Sequence, residues 1–174
     1  MATEGSAAEF LGEVRALVRT LTLERFEARF PWTFLAITSA ESNLTLQYTT
    51  RKATIAQTTN DGIVDLLPMV KTATTYSGLA SLLVGRSRAC DLWITDASMS
   101  KTHARFTLEK GLPKTLEDLG SRNGTWIADL KLNPNEPVAV RVGDVVAFGS
   151  VTARLLDAPQ LYAALKLTAG APPK

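Results

Sequence analysis

From Trp32 onward the chain breaks into short segments rich in Thr, Val, Ile and Leu, separated every few residues by turn chemistry. Candidate strands fall at 33–38, 44–50, 53–58, 63–66, 70–76, 80–84, 91–94, 103–109, 115–118, 125–128, 138–140, 144–149 and 151–156. Between them stand Glu41-Ser42-Asn43, Asn60-Asp61-Gly62, Lys110-Gly111, Asn133-Pro134-Asn135 and Gly149-Ser150, whose side chains or missing Cβ favour reversal of the backbone. Many short strands with frequent turns predict an antiparallel β-sandwich or barrel rather than a βαβ layer. No period of ~20–50 residues marks a repeat architecture.

The first thirty residues read differently. Ser6-Ala7-Ala8-Glu9 has the form of a capping box, and Phe10, Val14, Leu17, Val18 and Leu21 succeed it at helical spacing. An amphipathic helix from about 7 to 28 is predicted, ended by Pro31. It packs on its own domain, docks a partner or lies on a membrane surface. Its polar face mixes Glu13 with Arg15 and Arg19, which disfavours anionic lipid. Pro159, Leu161, Tyr162 and Leu165 predict a short closing helix over 158–167, then a Gly/Pro-rich tail. No Gly, Ser or Pro linker separates 32–78 from the strands beyond residue 79, so one fold is preferred. The expected organisation is a helical extension at 1–31, a sandwich at 32–157, and a short helix with a tail at 158–174.

Composition narrows the function classes. With 174 residues the chain is long enough to bury a core, and 45% hydrophobic residues is an ordinary globular content. A net charge of +2, with Lys and Arg spread along the chain, gives no basic stripe for nucleic acid. No apolar run approaches the ~20 residues that cross a bilayer, so no membrane partner is expected. The single cysteine, Cys90, cannot form an intramolecular disulfide and reads as a small buried hydrophobe. The N-terminal stretch lacks the pattern of a signal peptide, and the cytoplasm is the expected location.

Chemistry concentrates in three polar clusters, each where a strand ends and a loop begins. They are Gly85-Arg86, Ser100-Lys101-Thr102-His103, and Ser121-Arg122-Asn123-Gly124-Thr125. Together they offer two guanidinium groups, a hydroxyl, an ammonium and a carboxamide. Arg presents a planar fork to a dianion, Ser donates a hydroxyl, Lys adds a point charge, and Asn donates and accepts at once, which suits an extended peptide backbone. Such a set fits a phosphate monoester on a peptide and provides no general base for bond breaking. His103 is the only histidine, no nucleophile elbow is present, and no carboxylate or thiol spacing supports a metal site. Neither a catalytic residue, nor a metal, nor a cofactor is expected.

With these residues in order and at this spacing, the stretch from about Leu79 to Leu156 resembles a forkhead-associated (FHA) domain, a phosphothreonine-peptide recognition module. Gly85-Arg86-Ser87, Asp91-Leu92-Trp93-Ile94, Ser100-Lys101-Thr102-His103-Ala104-Arg105-Phe106, Asp118-Leu119-Gly120-Ser121-Arg122-Asn123-Gly124-Thr125, Gly143-Asp144 and Phe148-Gly149 carry the resemblance. It implies an eleven-stranded antiparallel β-sandwich of the SMAD/FHA type, with strands from 32–78 completing it and the binding loops at one end. It implies that Arg86 and Ser100 bind phosphate and that Lys101 adds a contact. Arg122 would touch phosphate or peptide, and Asn123 would bond the peptide main chain. His103, Gly85 and Gly124 would be structural supports of the site. The resemblance also implies that threonine is favoured over serine, because in that family a small pocket takes the γ-methyl, worth about 0.8 kcal/mol by area. Where the family commonly has Asn-Gly after the strand at 125, this chain has Ala128-Asp129, so an altered turn is expected there.

The implied function is that of a non-enzymatic adaptor in Ser/Thr kinase signalling. Its partner would be a Thr-phosphorylated protein or the kinase itself. The alternative is a phosphate-independent assembly module working through a sheet face or the N-terminal helix. A homodimer formed by capture of phosphorylated Thr-rich segments (20–22, 49–50, 58–59, 72–75) is a third reading. Among individual residues, Arg86 is either the phosphate ligand or the ion-pair partner of Asp91 or Asp118. Arg105 is expected to be structural, Arg88 solvated, and Trp93 and Trp126 packed at the core or rim.

Overall fold

The structure, a computed structural model, describes residues 7–38, 62–71 and 79–169. In chain order the elements are α1 (Ala7–Thr20), α2 (Leu23–Arg29), β1 (Phe34–Thr38), β2 (Ile63–Pro68), β3 (Leu79–Gly85), β4 (Leu92–Trp93) and β5 (Ala104–Glu109). They continue with β6 (Leu112–Asp118), β7 (Thr125–Ile127), β8 (Leu130–Lys131), β9 (Val138–Ala139), β10 (Val145–Phe148), β11 (Val151–Leu156) and α3 (Ala158–Ala169). The segments expected as strands at 44–50, 53–58 and most of 70–76 lie outside the described residues, as do Ser6 of the capping box and the Thr pairs at 49–50 and 58–59.

Among the described residues eleven strands form two sheets, in the orders β2-β1-β11-β10-β7-β8 and β4-β3-β5-β6-β9. Pairing is antiparallel except between β3 and β4, which run parallel through Val84↔Leu92 and Gly85↔Trp93. Alternation sets the inner face. Along β5, Ala104, Phe106 and Leu108 are buried while Arg105 and Thr107 point outward and are half-buried. Facing them across the sandwich are Leu35, Ile37, Val146, Phe148, Ala153 and Leu155, and the two sets form one core. Arg105 pairs with Glu117 on the neighbouring strand at 2.6 Å, which uses its charge on the outer face of the sheet.

Strand β1 departs from simple alternation, because Phe34, Leu35, Ala36 and Ile37 are all buried. Phe34 and Ala36 turn to the side away from the sandwich core. There they join Ile63, Leu66 and Leu156 beneath Leu11, Val14 and Val18 of α1, Phe26 of α2, and Leu161 and Leu165 of α3. The three helices therefore roof the six-stranded sheet, and the apolar faces read from the sequence are spent on it.

The helix expected over 7–28 is two helices. Thr20 turns its hydroxyl back to the carbonyls of Ala16 and Leu17, and Thr22 takes an extended conformation (φ −74°, ψ 160°) ahead of α2. Both are β-branched hydroxyl residues that compete with helical bonding. Tyr162 Oη donates to the freed Leu21 carbonyl at 2.9 Å. The break lets Phe26 reach Tyr162 and Phe30, with ring centroids 5.3 and 4.8 Å away. At the start of α3 the carboxylate of Asp157 accepts from Gln160 N at 2.9 Å, a side-chain cap.

Candidate functional site

The three polar clusters meet at one end of the sandwich. Gly85 ends β3 against the loop of the second cluster. A Cβ there would overlap the backbone carbonyl of Lys101 and come within 3.0 Å of Cys90 Sγ, so only glycine allows the approach. Arg86 N then donates to Ser100 O at 2.9 Å and Ser87 N to Lys101 O at 3.0 Å, fastening the first cluster to the second. Beneath them Cys90 is buried and its Sγ lies 3.3 Å from Lys101 O; burial pushes the thiol above its ordinary range.

His103 links the second cluster to the third. It is fully buried, its Nδ1 accepts from Ser100 N at 3.1 Å, and its Nε2 lies 2.9 Å from Gly124 O. A backbone N–H can only donate, so Nδ1 is the bare nitrogen and Nε2–H donates to the carbonyl. Both ring nitrogens are thus occupied. The ring also meets Phe148 edge-on at 5.8 Å.

Asp118 shapes the 119–124 loop. Its Oδ1 accepts from Ser121 N at 2.9 Å, and its Oδ2 accepts from Ser121 Oγ and Thr125 Oγ1, both at 2.6 Å. Burial alone would raise this carboxyl, but those hydroxyls and the N–H groups of Ser121 and Gly120 outweigh it and hold it below the usual carboxylate range. A second carboxylate, Asp96, takes the hydroxyl and N–H of Ser98 at 2.6 and 2.8 Å, which hold it low as well. Ser98 in turn accepts from Ser150 N at 2.9 Å and offers its carbonyl to Asn123 Nδ2 at 2.7 Å. The carboxamide of Asn123 is therefore aimed before any ligand arrives, with Oδ1 and one N–H left over for it. Asp96 and Ser98 were not singled out by sequence reasoning, and Ser150 was read only as a turn residue. The signal for them was the Asp-x-Ser spacing of an Asx turn at Asp96-Ala97-Ser98.

On this framework the structure brings together Arg86, Ser100, Lys101, Arg122 and Asn123. Arg122 N donates to Ser100 Oγ at 3.1 Å, so the hydroxyl is oriented as an acceptor and its own proton is left to donate elsewhere. Arg86, Lys101, Arg122 and Asn123 are exposed, and none of the three cations is in an ion pair among the described residues. Asp91 instead takes Lys71 Nζ at 3.3 Å and Leu83 N at 2.8 Å, and Asp118 is occupied by Ser121 and Thr125. Neither carboxylate is the partner of Arg86. Arg88 stacks over Trp93 at 5.0 Å, and Trp93 Nε1 donates to Arg86 O at 3.1 Å, which places this tryptophan on the rim. The turn at Ala128-Asp129 is a two-residue hairpin, with a left-handed φ of +50° at Ala128 and Ile127 paired with Leu130. Among the described residues no three His, Cys, Asp or Glu side chains gather as a metal site, and no helix is long and apolar enough to cross a membrane.

Residues 82–149 match the family model described as the FHA domain, and this stretch of the chain is an FHA domain. Among curated relatives, the FHA domain-containing protein PS1 of Arabidopsis thaliana is 36% identical over 72 residues, 41% of this chain and 5% of its own length. The nuclear inhibitor of protein phosphatase 1 of Homo sapiens is 34% identical over 64 residues, 36% of this chain and 18% of its own length. The chain thus spans only a small part of these relatives. A solved structure described as a structural and functional analysis of phosphothreonine-dependent FHA domain interactions aligns at 14% identity. The alignment covers 71% of this chain and 94% of that one, with a TM-score of 0.48.

Proposed function

We propose that this chain binds phosphothreonine in an extended peptide and acts as a non-enzymatic adaptor in Ser/Thr kinase signalling. The observation that carries the reading is the juxtaposition of Arg86 and Arg122 around a Ser100 hydroxyl whose proton is available, on loops locked by buried His103. Arg86 and Ser100 take the phosphate, Lys101 and Arg122 complete the field, and the pre-aimed Asn123 holds the peptide main chain. Gly85 and Gly124 allow the close loop packing. A dianion satisfies cations that lack a carboxylate among the described residues, through charge-assisted bonds. Against catalysis stands His103, which is the only histidine and has both nitrogens engaged in structural bonds. Against association through the first helix stands the burial of Leu11, Val14 and Val18 on the chain's own sheet. We therefore assign the helices at 1–31 and 158–174 to a layer over the 32–157 sandwich, and the partner to a Thr-phosphorylated protein or its kinase.

The test is a degenerate phosphothreonine-peptide array, with unphosphorylated and phosphoserine controls, probed with wild type and Arg86→Ala. Wild type should select phosphothreonine. Arg86→Ala should lose about a hundredfold in affinity, as two charge-assisted bonds are worth about 3 kcal/mol together. Equal binding by the two proteins refutes the assignment of Arg86.

A further inference from the structure

We propose that Asp96 is a positioning residue for the grip on the peptide main chain, acting through Ser98 on Asn123, and that it serves as an acceptor oxygen rather than as a charge. The inference rests on the phosphothreonine reading and adds to it a group that touches no ligand.

The hydrogen bonds around Ser98 fix where each proton goes. Asp96 Oδ1 accepts from Ser98 N at 2.8 Å and from the Ser98 hydroxyl at 2.6 Å. An ionised carboxylate only accepts, so the one proton of Ser98 Oγ is given to Asp96. The two lone pairs of that oxygen then face the turn between β10 and β11, where Ser150 N and Ser150 Oγ donate to them at 2.9 and 2.8 Å. The turn is pressed close. A Cβ at Gly149, whose φ is +61°, would come within 2.6 Å of Ser98 Oγ and 2.9 Å of Ser98 O. On the other side Met99 N donates to Asp96 O at 3.2 Å, and the Met99 side chain is buried in the sandwich core. The peptide group joining Ser98 to Met99 is thus held from both ends, and its carbonyl accepts from Asn123 Nδ2 at 2.7 Å.

Two consequences carry the proposal. Asn123 is exposed, and among the described residues its side chain makes no other hydrogen bond, so the aim of the carboxamide depends on the placement of Ser98 O. An exposed carboxamide without that tie must be immobilised when the peptide binds, which weakens affinity about three- to tenfold. The second consequence concerns charge. Every side-chain bond of Asp96 among the described residues ends on Oδ1, so one carbonyl oxygen can replace it. A negative group linked this closely to an anion site repels the phosphate, so its favourable contribution is geometric.

The test is fluorescence polarisation with a labelled phosphothreonine peptide with alanine flanks. Asp96→Ala should bind about three- to tenfold more weakly than wild type. Asp96→Asn keeps an oxygen for the same bonds and drops the charge, and it should bind at least as tightly as wild type. In an Asn123→Ala background, Asp96→Ala should weaken binding no further, because the group it aims is gone. Urea midpoints establish that each variant is folded. If Asp96→Ala does not fold, Ser98→Ala removes only the hydroxyl between Asp96 and Ser150 and should show about a two- to threefold loss, again absent in the Asn123→Ala background. The inference is overturned if these alanine variants bind as wild type does, if Asp96→Asn binds as weakly as Asp96→Ala, or if the loss persists in full without Asn123. Failure of wild type to bind the phosphopeptide would instead refute the phosphothreonine reading, and this inference with it.

Discussion

Replacing His103 with alanine should cost about 3–5 kcal/mol of folding stability, a magnitude set by the contacts of the ring. Ser100 N–H loses its acceptor at 3.1 Å and is left without a protein partner. An unsatisfied polar group of this kind costs about 1–3 kcal/mol. The carbonyl of Gly124 loses the imidazole at 2.9 Å but still accepts from Gly149 N at 3.0 Å, so its share is at the low end, about 1 kcal/mol. Loss of the edge contact with Phe148 adds about 0.5–1.5 kcal/mol, and the vacated volume adds a cavity term. Native domains are stable by only about 5–15 kcal/mol, so the variant should remain folded but with a clearly lower midpoint. Urea unfolding monitored by tryptophan fluorescence measures this directly, with an unchanged slope required for the comparison. A loss below about 1 kcal/mol would refute the account of His103 as the tie between the second and third loops.

Other contacts give three further outcomes. Asp118 has a folded-state pKa below its unfolded value of about 3.9, so its contribution is fully present above that value and is lost as pH falls through the depressed one. The Tm gap between wild type and Asp118→Asn should therefore narrow as pH falls from about 6 to about 2.5, and a constant gap would refute the linkage. Gly85→Ala should destabilise by about 2 kcal/mol or more, because the new methyl meets the Lys101 carbonyl, a backbone atom that cannot step aside; an unchanged urea midpoint would contradict this. Leu161→Ala should cost about 2–4 kcal/mol while leaving the phosphopeptide Kd of the folded protein unchanged, and a neutral result would mean that the helical roof is not integral.

The sandwich was legible because its signal is local and repeated. Alternation along Ala104–Glu109 and the turn residues at Lys110-Gly111 each fix a piece of the fold, and the structure places strands at nearly all the predicted positions it describes. The break after Thr20 was not legible, because the apolar spacing runs on through Phe26 and Phe30 as though one helix continued. What decides it is remote: the Tyr162 hydroxyl on Leu21 O and the aromatic cluster that α2 completes. The two-residue strand β8 was missed for a similar reason, since Leu130 and Lys131 are both exposed and show no inward–outward alternation. In the candidate site, residues that carry charge or a special backbone stood out in the sequence, namely Arg86, Ser100, Arg122, Asn123 and the glycines. The scaffold of hydroxyls and carboxylates behind them did not. Asp96, Ser98 and Ser150 look like ordinary loop residues until the fold sets two turns side by side.

The double-sided burial along Phe34, Leu35, Ala36 and Ile37 has a practical meaning. The stretch that matches the family, 82–149, omits the first two strands and the last, which are three contiguous members of one sheet. Excised alone, it would carry the recognition loops on half a scaffold and expose an oily floor to water, so a minimal binding fragment must also include those distant strands.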